Sequence, residues 1–305
     1  MQTEQLLKNL QHPTGPVDMV LDTDAYNEID DQFAIAYMMK SPEKLRVKAI
    51  FAAPFFNSHS TGPGDGMERS YEEILKLLRL MGREDFVPNV YRGSLNYLPD
   101  EQTPVESPAA RRLVELSREY SAQRPLYVAA IGAITNVASA ICMDPTIAER
   151  MVVVWLGGHA RHWPHDKEFN LFQDVEAARV VFGSGVPLVQ LPCMGVVSEL
   201  RTTGPELAYW LQGKNPLCDY LCAHTCEEAE SYAAGKPWSR VIWDVSTIAW
   251  LLDDAGAFTK DRLLPVAMPE YDGLRAENPD AHWMRYVYHV DRDAIFEDMF
   301  KKLAE

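Results

Sequence analysis

The alternation of short β-branched runs with helical patterns constrains this chain more than any other feature. The runs "VDMVL" (17–21), "LRVKAIFAA" (45–53), "PLYVAAIG" (125–132), "MVVVWLGG" (151–158) and "VPLVQLP" (186–192) read as buried strands, most of them closed by Gly, Pro or a small residue. Between them lie helical patterns at 30–40, 66–82, 107–121, 136–144 and 174–185. Strand, loop, helix, strand predicts an α/β fold, a mostly parallel central sheet flanked by helices in the Rossmann-like manner. Such sheets bind ligands beyond the carboxyl ends of their strands.

Asp22, Asp24, Asp30 and Asp31 stand at that end of the first strand, in "DTDAYNEIDDQFAIA" (22–36). Four carboxylates within ten residues repel one another unless a positive charge sits among them. Capping of the following helix accounts for one or two aspartates, not four. A bound cation is the expected neutraliser. An EF-hand loop starting at Asp22 is excluded, because Asn27 occupies the position that needs glycine and Phe33 the position that needs a bidentate glutamate.

The chain has 305 residues, enough for one large α/β domain, and carries 29 Lys and Arg against 44 Asp and Glu, for a net charge of −15. That balance argues against nucleic acid or an anionic membrane as partner and favours a small polar substrate. No apolar run reaches the length of a membrane span, and "MQTEQLLKNLQHP" lacks the pattern of a secretory leader. A cytoplasmic protein is expected, with five free cysteines. Cys218, Cys222 and Cys226 repeat every four residues on one helical face and read as small buried side chains rather than a metal site. From about 196 to 240 the pattern turns helical, which suggests a single domain, 1–305, carrying a helical elaboration.

The segment "DTDAYNEIDDQFAIA" resembles the amino-terminal motif of the nucleoside hydrolases, Ca²⁺-dependent enzymes that cleave the N-glycosidic bond of ribonucleosides. The likeness extends along most of the chain. Asn57 follows the second strand as the family's ribose-contacting asparagine does, and "IGAITNVASAI" (131–141) is similar to the segment whose threonine offers a backbone carbonyl to calcium. The Glu-Phe-Asn of "WLGGHARHWPHDKEFNLFQDVEAARVVF" (155–182) corresponds to sugar contacts. "WDVSTIAWLL" (243–252) places Asp244 at the late calcium aspartate, and "VDRDAIFEDMF" (290–300) resembles the closing strand and helix.

The resemblance implies a calcium site formed by Asp24, Asp31, Asp244 and the carbonyl of Thr135, with Asp24 also the general base toward the attacking water. It assigns Asp30, Asn57, Glu168 and Asn170 to the ribose and Asp22 to orienting its neighbours. Cleavage through an oxocarbenium-like sugar needs such a set: a positioned water, negative charge near the ring and help for the departing base. Relatives are commonly homodimers or homotetramers. Members accepting both purines and pyrimidines carry a histidine before the late aspartate, whereas Trp243 stands here, as in purine-preferring members, where it stacks on the base. The alternative for Trp243 is simple core filling, like Trp250. Tyr97 is a candidate for a second stacking ring, and His159, in a cluster with His162 and His165, for a proton donor to the leaving group.

Two departures matter. Residues Ala25 to Ile29 lengthen the first loop and no glycine interrupts it, and the histidine is missing. Competing readings are a Mg²⁺-dependent dehalogenase-like phosphatase, which also places Asp-x-Asp after a strand, and a ribosyl-ligand-binding protein with weak turnover.

Overall fold

The computed structural model describes residues 1–305. After a short helix α1 (Thr3–Asn9), the chain alternates β1 (Val17–Thr23), α2 (Asp31–Met39), β2 (Leu45–Ala52), α3 (Pro63–Leu80), β3 (Val90–Arg92) and α4 (Pro108–Ser117). It continues through β4 (Leu126–Ala130), α5 (Thr135–Met143), β5 (Met151–Leu156), α6 (Phe169–Gln173), α7 (Val175–Gly183) and β6 (Leu188–Leu191). The expected strands and helices are present. Their ends move by a few residues, chiefly where the expected runs extended into loops.

Next come β7 (Arg201–Thr202), α8 (Gly204–Trp210), α9 (Pro216–Ala233) and β8 (Arg240–Val241), with β7 and β8 forming a small antiparallel ribbon. α10 (Val245–Leu252) returns to the body, followed by β9 (Thr259–Pro265), the hairpin of β10 (Ala267–Pro269) and β11 (Arg275–Glu277), β12 (Trp283–Val290) and α11 (Arg292–Ala304). Cys218 and Cys222 are buried on α9, where their thiols meet the carbonyls of Leu303 at 3.2 Å and Leu207 at 3.4 Å, and all five cysteines are free. No helix is long and apolar enough to cross a membrane.

The main sheet runs β3-β2-β1-β4-β5-β6-β12-β9, parallel throughout except for β9, which pairs antiparallel with β12. Helices cover both faces, so Met19, Val20 and Leu21 on β1 are all fully buried and the strand reads as continuous rather than alternating apolar sequence. One face packs Phe33, Tyr37, Trp250 and Phe296, the other Trp155, Phe182 and Leu113. β1 lies between β2 and β4, and the strand order reverses there: β2 and β3 lie to one side, β4 to β6 to the other. A crevice opens at such a switch point, at the carboxyl ends of the strands. The acidic loop that follows β1 falls into it.

A candidate active site at the switch point

Asp22 and Thr23 are the last residues of β1, and Asp31 is the first residue of α2, so both ends of the acidic loop are fixed by regular structure. Asp22 accepts a hydrogen bond from Asn136 Nδ2 at 2.8 Å, and its other oxygen has no partner. Thr23 Oγ1 donates to Asp31. Asp30 Oδ2 accepts from the backbone N–H of Trp243 at 3.1 Å, which ties the first loop to the start of α10. Single carboxylate oxygens of Asp30, Asp31 and Asp244 thereby gather within 4.8 Å of one another, all buried.

Asp24 lies outside that triad but within its field: the charges of Asp31 and Asp30 act on Asp24, and that of Asp24 acts on Asp244. Neither of the Asp24 oxygens has a hydrogen-bond partner, although the residue is only 1 % exposed. It packs against Gly132 at the end of β4, where an added Cβ would stand 2.9 Å from the Asp24 carboxyl carbon. Only glycine leaves room for that carboxylate.

Burial raises the pKa of all of these groups, and for the loop acids and Asp244 the mutual repulsion adds to it. Asp22 is pushed up to about 7 by burial against the relief of the Asn136 bond, and Asp31 to about 7 by burial against the Thr23 bond. Asp24 rises by burial and then by the charges of Asp31 and Asp30, and Asp244 by burial and then Asp30 and Asp31. Arg240 works against the rise at Asp30, where burial and Glu28 outweigh it. Carboxylates held this way are costly unless a cation offsets them. The orphaned oxygens of Asp24 and the buried oxygen triad fit a hard, oxygen-seeking divalent ion.

A cavity of about 190 Å³ opens beside them. Asp30, Asp244, Trp243, Glu168, Asn170 and His159 line it, as do Asn27, Glu28, Phe169 and Cys193, which sequence reasoning did not single out. Glu168 caps α6: its carboxylate accepts from the N–H groups of Gly158 at 2.9 Å, Asn170 at 2.9 Å and Leu171 at 3.0 Å, yet burial still pushes its pKa up to about 7. Asn170 donates from Nδ2 to the carbonyls of Ile131 and Leu156, both at 3.1 Å, at the ends of β4 and β5. His159 Nδ1 accepts from the Met194 N–H at 3.3 Å, which leaves the ring proton on Nε2. Burial first, then His165 and Arg275, lower the pKa of His159 to about 4.

Six expected residues are not among those lining the cavity: Asp22, Asp24 and Asp31, buried at the two ends of the acidic loop, and Asn57, Tyr97 and Thr135. Asn57 does not line the cavity; its Nδ2 donates to Asn27 Oδ1 at 2.6 Å and its Oδ1 accepts from the His59 N–H at 2.8 Å. The lengthened loop interposes Asn27 in front of it. Tyr97 likewise lies off the cavity, its hydroxyl bonded to Gln173, and the ring that shares the cavity with Trp243 is Phe169. Thr135 opens α5, and its hydroxyl donates to Asp174 at 2.6 Å. The Glu-Phe-Asn motif held the signal for Phe169; nothing in the sequence marked Asn27 or Glu28.

The architecture is that of the doubly wound α/β proteins, and the buried carboxylates stand where such sheets bind their ligands, at the switch point. Comparison with known proteins gives the family. The family of inosine-uridine preferring nucleoside hydrolases matches residues 19–297. A pyrimidine-specific ribonucleoside hydrolase, RihA of Klebsiella pneumoniae (strain 342), is 26% identical over 324 aligned residues, covering 94% of this chain and 98% of the relative. Among solved structures, the plant nucleoside hydrolase PpNRh1 superposes with a TM-score of 0.75 at 21% identity, covering 95% of this chain and 99% of that one. A purine-preferring ribonucleoside hydrolase from Gardnerella vaginalis gives 0.72 at 18% identity, covering 94% and 98%. This chain belongs to the nucleoside hydrolase family, whose members are N-glycosyl hydrolases. The phosphatase reading of the Asp-x-Asp motif is thereby set aside.

Proposed function

We propose that the protein hydrolyses ribonucleosides in a Ca²⁺-dependent reaction, with preference for purine bases. The observation that carries the reading is the cluster of buried carboxylates, among which Asp24 has no partner on either oxygen, next to a cavity lined by Asp30 and Asp244. Asp24, Asp31 and Asp244 would hold the ion, with Asp30 close enough to contribute. The Thr135 carbonyl, at the first turn of α5, completes the set that the family resemblance implies. When bound, Ca²⁺ supplies positive charge that offsets these acids and polarises the attacking water.

The protein's own groups do the rest. Asp24 takes the proton from the attacking water as the water oxygen bonds to C1′. The C1′–N bond breaks, and its electron pair leaves with the base. Asp30, Glu168 and Asn170 orient the sugar, and Asp22 steadies the loop through Asn136. Asn57 acts at one remove, by holding Asn27. His159, neutral with its proton on Nε2, presents a hydrogen-bond donor to the departing base.

Trp243 supports the purine preference. Trp250 is fully buried in the core, but Trp243 is only partly buried and lines the cavity, next in the chain to Asp244. An indole there can stack on a base at a gain of roughly 1–3 kcal/mol.

The test is release of base and ribose from inosine, guanosine, adenosine, uridine and cytidine, with added Ca²⁺ and with a chelator. Purine nucleosides should be cleaved fastest, and chelation should abolish all release. Chelator-resistant turnover would remove the metal from the reading, and faster cleavage of pyrimidines would remove the purine preference. Binding without any release would leave a ribosyl-ligand-binding protein.

A further inference from the structure

The lengthened first loop places Asn27 and Glu28, neighbours in the chain, on the lining of the cavity, and hydrogen-bond logic fixes which way the Asn27 amide is turned. The backbone N–H of His59 can only donate, so the atom it meets on Asn57 at 2.8 Å is the carbonyl oxygen, and the other atom is the amide nitrogen. That nitrogen donates to Asn27 at 2.6 Å, so the Asn27 atom it meets is Oδ1. The Asn27 amide N–H₂ group is left without a protein acceptor on a residue that lines the cavity.

Next in the chain, Glu28 gives Oε2 to Arg240, has no partner on Oε1, and lines both this cavity and a second one bounded by Tyr26, His59 and Arg69. The Glu28 carboxylate is 40 % exposed, which sets it toward the cavity mouth, whereas Asp30, Asp244 and Asn170 are at most 5 % exposed and form the floor. A ribose seated on the floor directs its base toward the mouth.

We infer that Asn27 and Glu28 read the edge of the base and select bases that carry a carbonyl beside a ring N–H, the lactam edge of 6-oxopurines, over those that carry an amino group beside a bare ring nitrogen. This rests on the nucleosidase reading and deepens it. The Asn27 amide donates to the base carbonyl, and Glu28 accepts from the neighbouring N–H. On guanine, Glu28 also meets the 2-amino group. Adenine reverses the pattern: its 6-amino group faces the Asn27 donor and its bare N1 faces the Glu28 carboxylate, so two polar contacts become unpaired or repulsive. A site built to pair with a substrate's hydrogen-bonding groups rejects an analogue that cannot satisfy them far more strongly than an apolar pocket rejects a change in size.

The experiment compares kcat/KM for inosine and adenosine, which share ring size and sugar, in the wild type, in Glu28→Gln and in Asn27→Ala. Wild type should favour inosine at least tenfold, on the order expected for mispaired hydrogen bonds. Glu28→Gln, nearly isosteric and able to donate to N1 of adenine, should reduce that ratio severalfold, and Asn27→Ala should reduce it too. Equal or faster cleavage of adenosine by the wild type would overturn the inference, as would an unchanged ratio in both variants. If neither nucleoside is cleaved, the hydrolase reading fails first, and equilibrium binding of the two by titration calorimetry then decides the edge reading. Tighter inosine keeps it, and equal or tighter adenosine overturns it.

Discussion

Two aspartates in this molecule, the half-buried Asp261 and the buried Asp24, face opposite electrostatic fates. Asp261 on β9 lies among donors: His12 Nε2 at 2.9 Å, Trp250 Nε1 at 3.1 Å and Arg285 Nη1 at 3.3 Å. Burial would raise its pKa, but those bonds and the charges of Arg285 and His12 outweigh burial and hold the carboxyl below its usual range. Asp24, buried more deeply, has no partner on either oxygen, and burial and its acidic neighbours raise its pKa. The first arrangement ties the segment after α1 to the core: His12 stacks on Trp250, with ring centroids 4.5 Å apart, and Arg285 also donates to the carbonyl of Leu10 at 2.6 Å. The second serves no structural end that its contacts reveal. The fold satisfies the half-buried acid with three donors and leaves the buried one bare, which is the pattern that perturbed acids at binding sites show.

That contrast breaks if the two acids respond alike to neutralisation. If Asp24 is the general base as proposed, Asp24→Asn should lower kcat by about 10³-fold or more with the fold retained, as judged by circular dichroism, because a repulsive buried charge is relieved while the base is lost. Asp261→Asn should do the reverse, costing about 3 kcal/mol of unfolding free energy in a denaturant titration, since His12 and Arg285 lose their counter-charge, with kcat of the folded fraction kept. Similar stability losses in both variants would end the distinction.

A smaller effect sharpens the difference between the cavity tryptophan and the core tryptophan. Trp243→Ala should cut kcat/KM for inosine by about 10-fold, and less for uridine, at little cost in Tm, consistent with stacking worth about 1–3 kcal/mol. Trp250→Ala should instead act on Tm, because a fully buried indole leaves a cavity.

A further expected effect concerns pH and is read in stability alone. Glu168 has a folded pKa raised from 4.5 to about 7, so its contribution to stability is full below 4.5 and is lost as pH rises through 7. The Tm of the wild type relative to Glu168→Gln should therefore fall by about 2–4 °C per kcal/mol lost between pH 5 and pH 8. A pH-independent difference would show that the three backbone N–H bonds to Glu168 already balance its burial.

Much of the site could be read from local pattern. Asp22, Asp24, Asp30 and Asp31 follow a strand, and a strand end in a parallel sheet is a rim whatever the rest of the chain does. Glu168 and Asn170 share one short motif, and both reach the cavity because α6 starts there. Asn57 and Tyr97 show where local pattern stops. Each follows its strand at the expected place, but the side chain that enters the cavity is decided by what stands in front of it. Five residues between Asp24 and Asp30 were enough to put Asn27 there instead of Asn57. Arg240 is likewise silent in sequence, since its partner Glu28 lies 212 residues away.

The sequence alone determined the α/β layering, because β-branched runs buried on both faces and helical periods between them admit few other packings. It also determined that negative charge accumulates at one rim, because that charge lies within ten consecutive residues. Only the tertiary structure decided which of those charges go unpaired, that Asp244 joins Asp30 and Asp31, and which side chains wall the cavity mouth. Those are contacts between segments far apart in the chain, and a few residues of loop length redirect them without altering any local pattern.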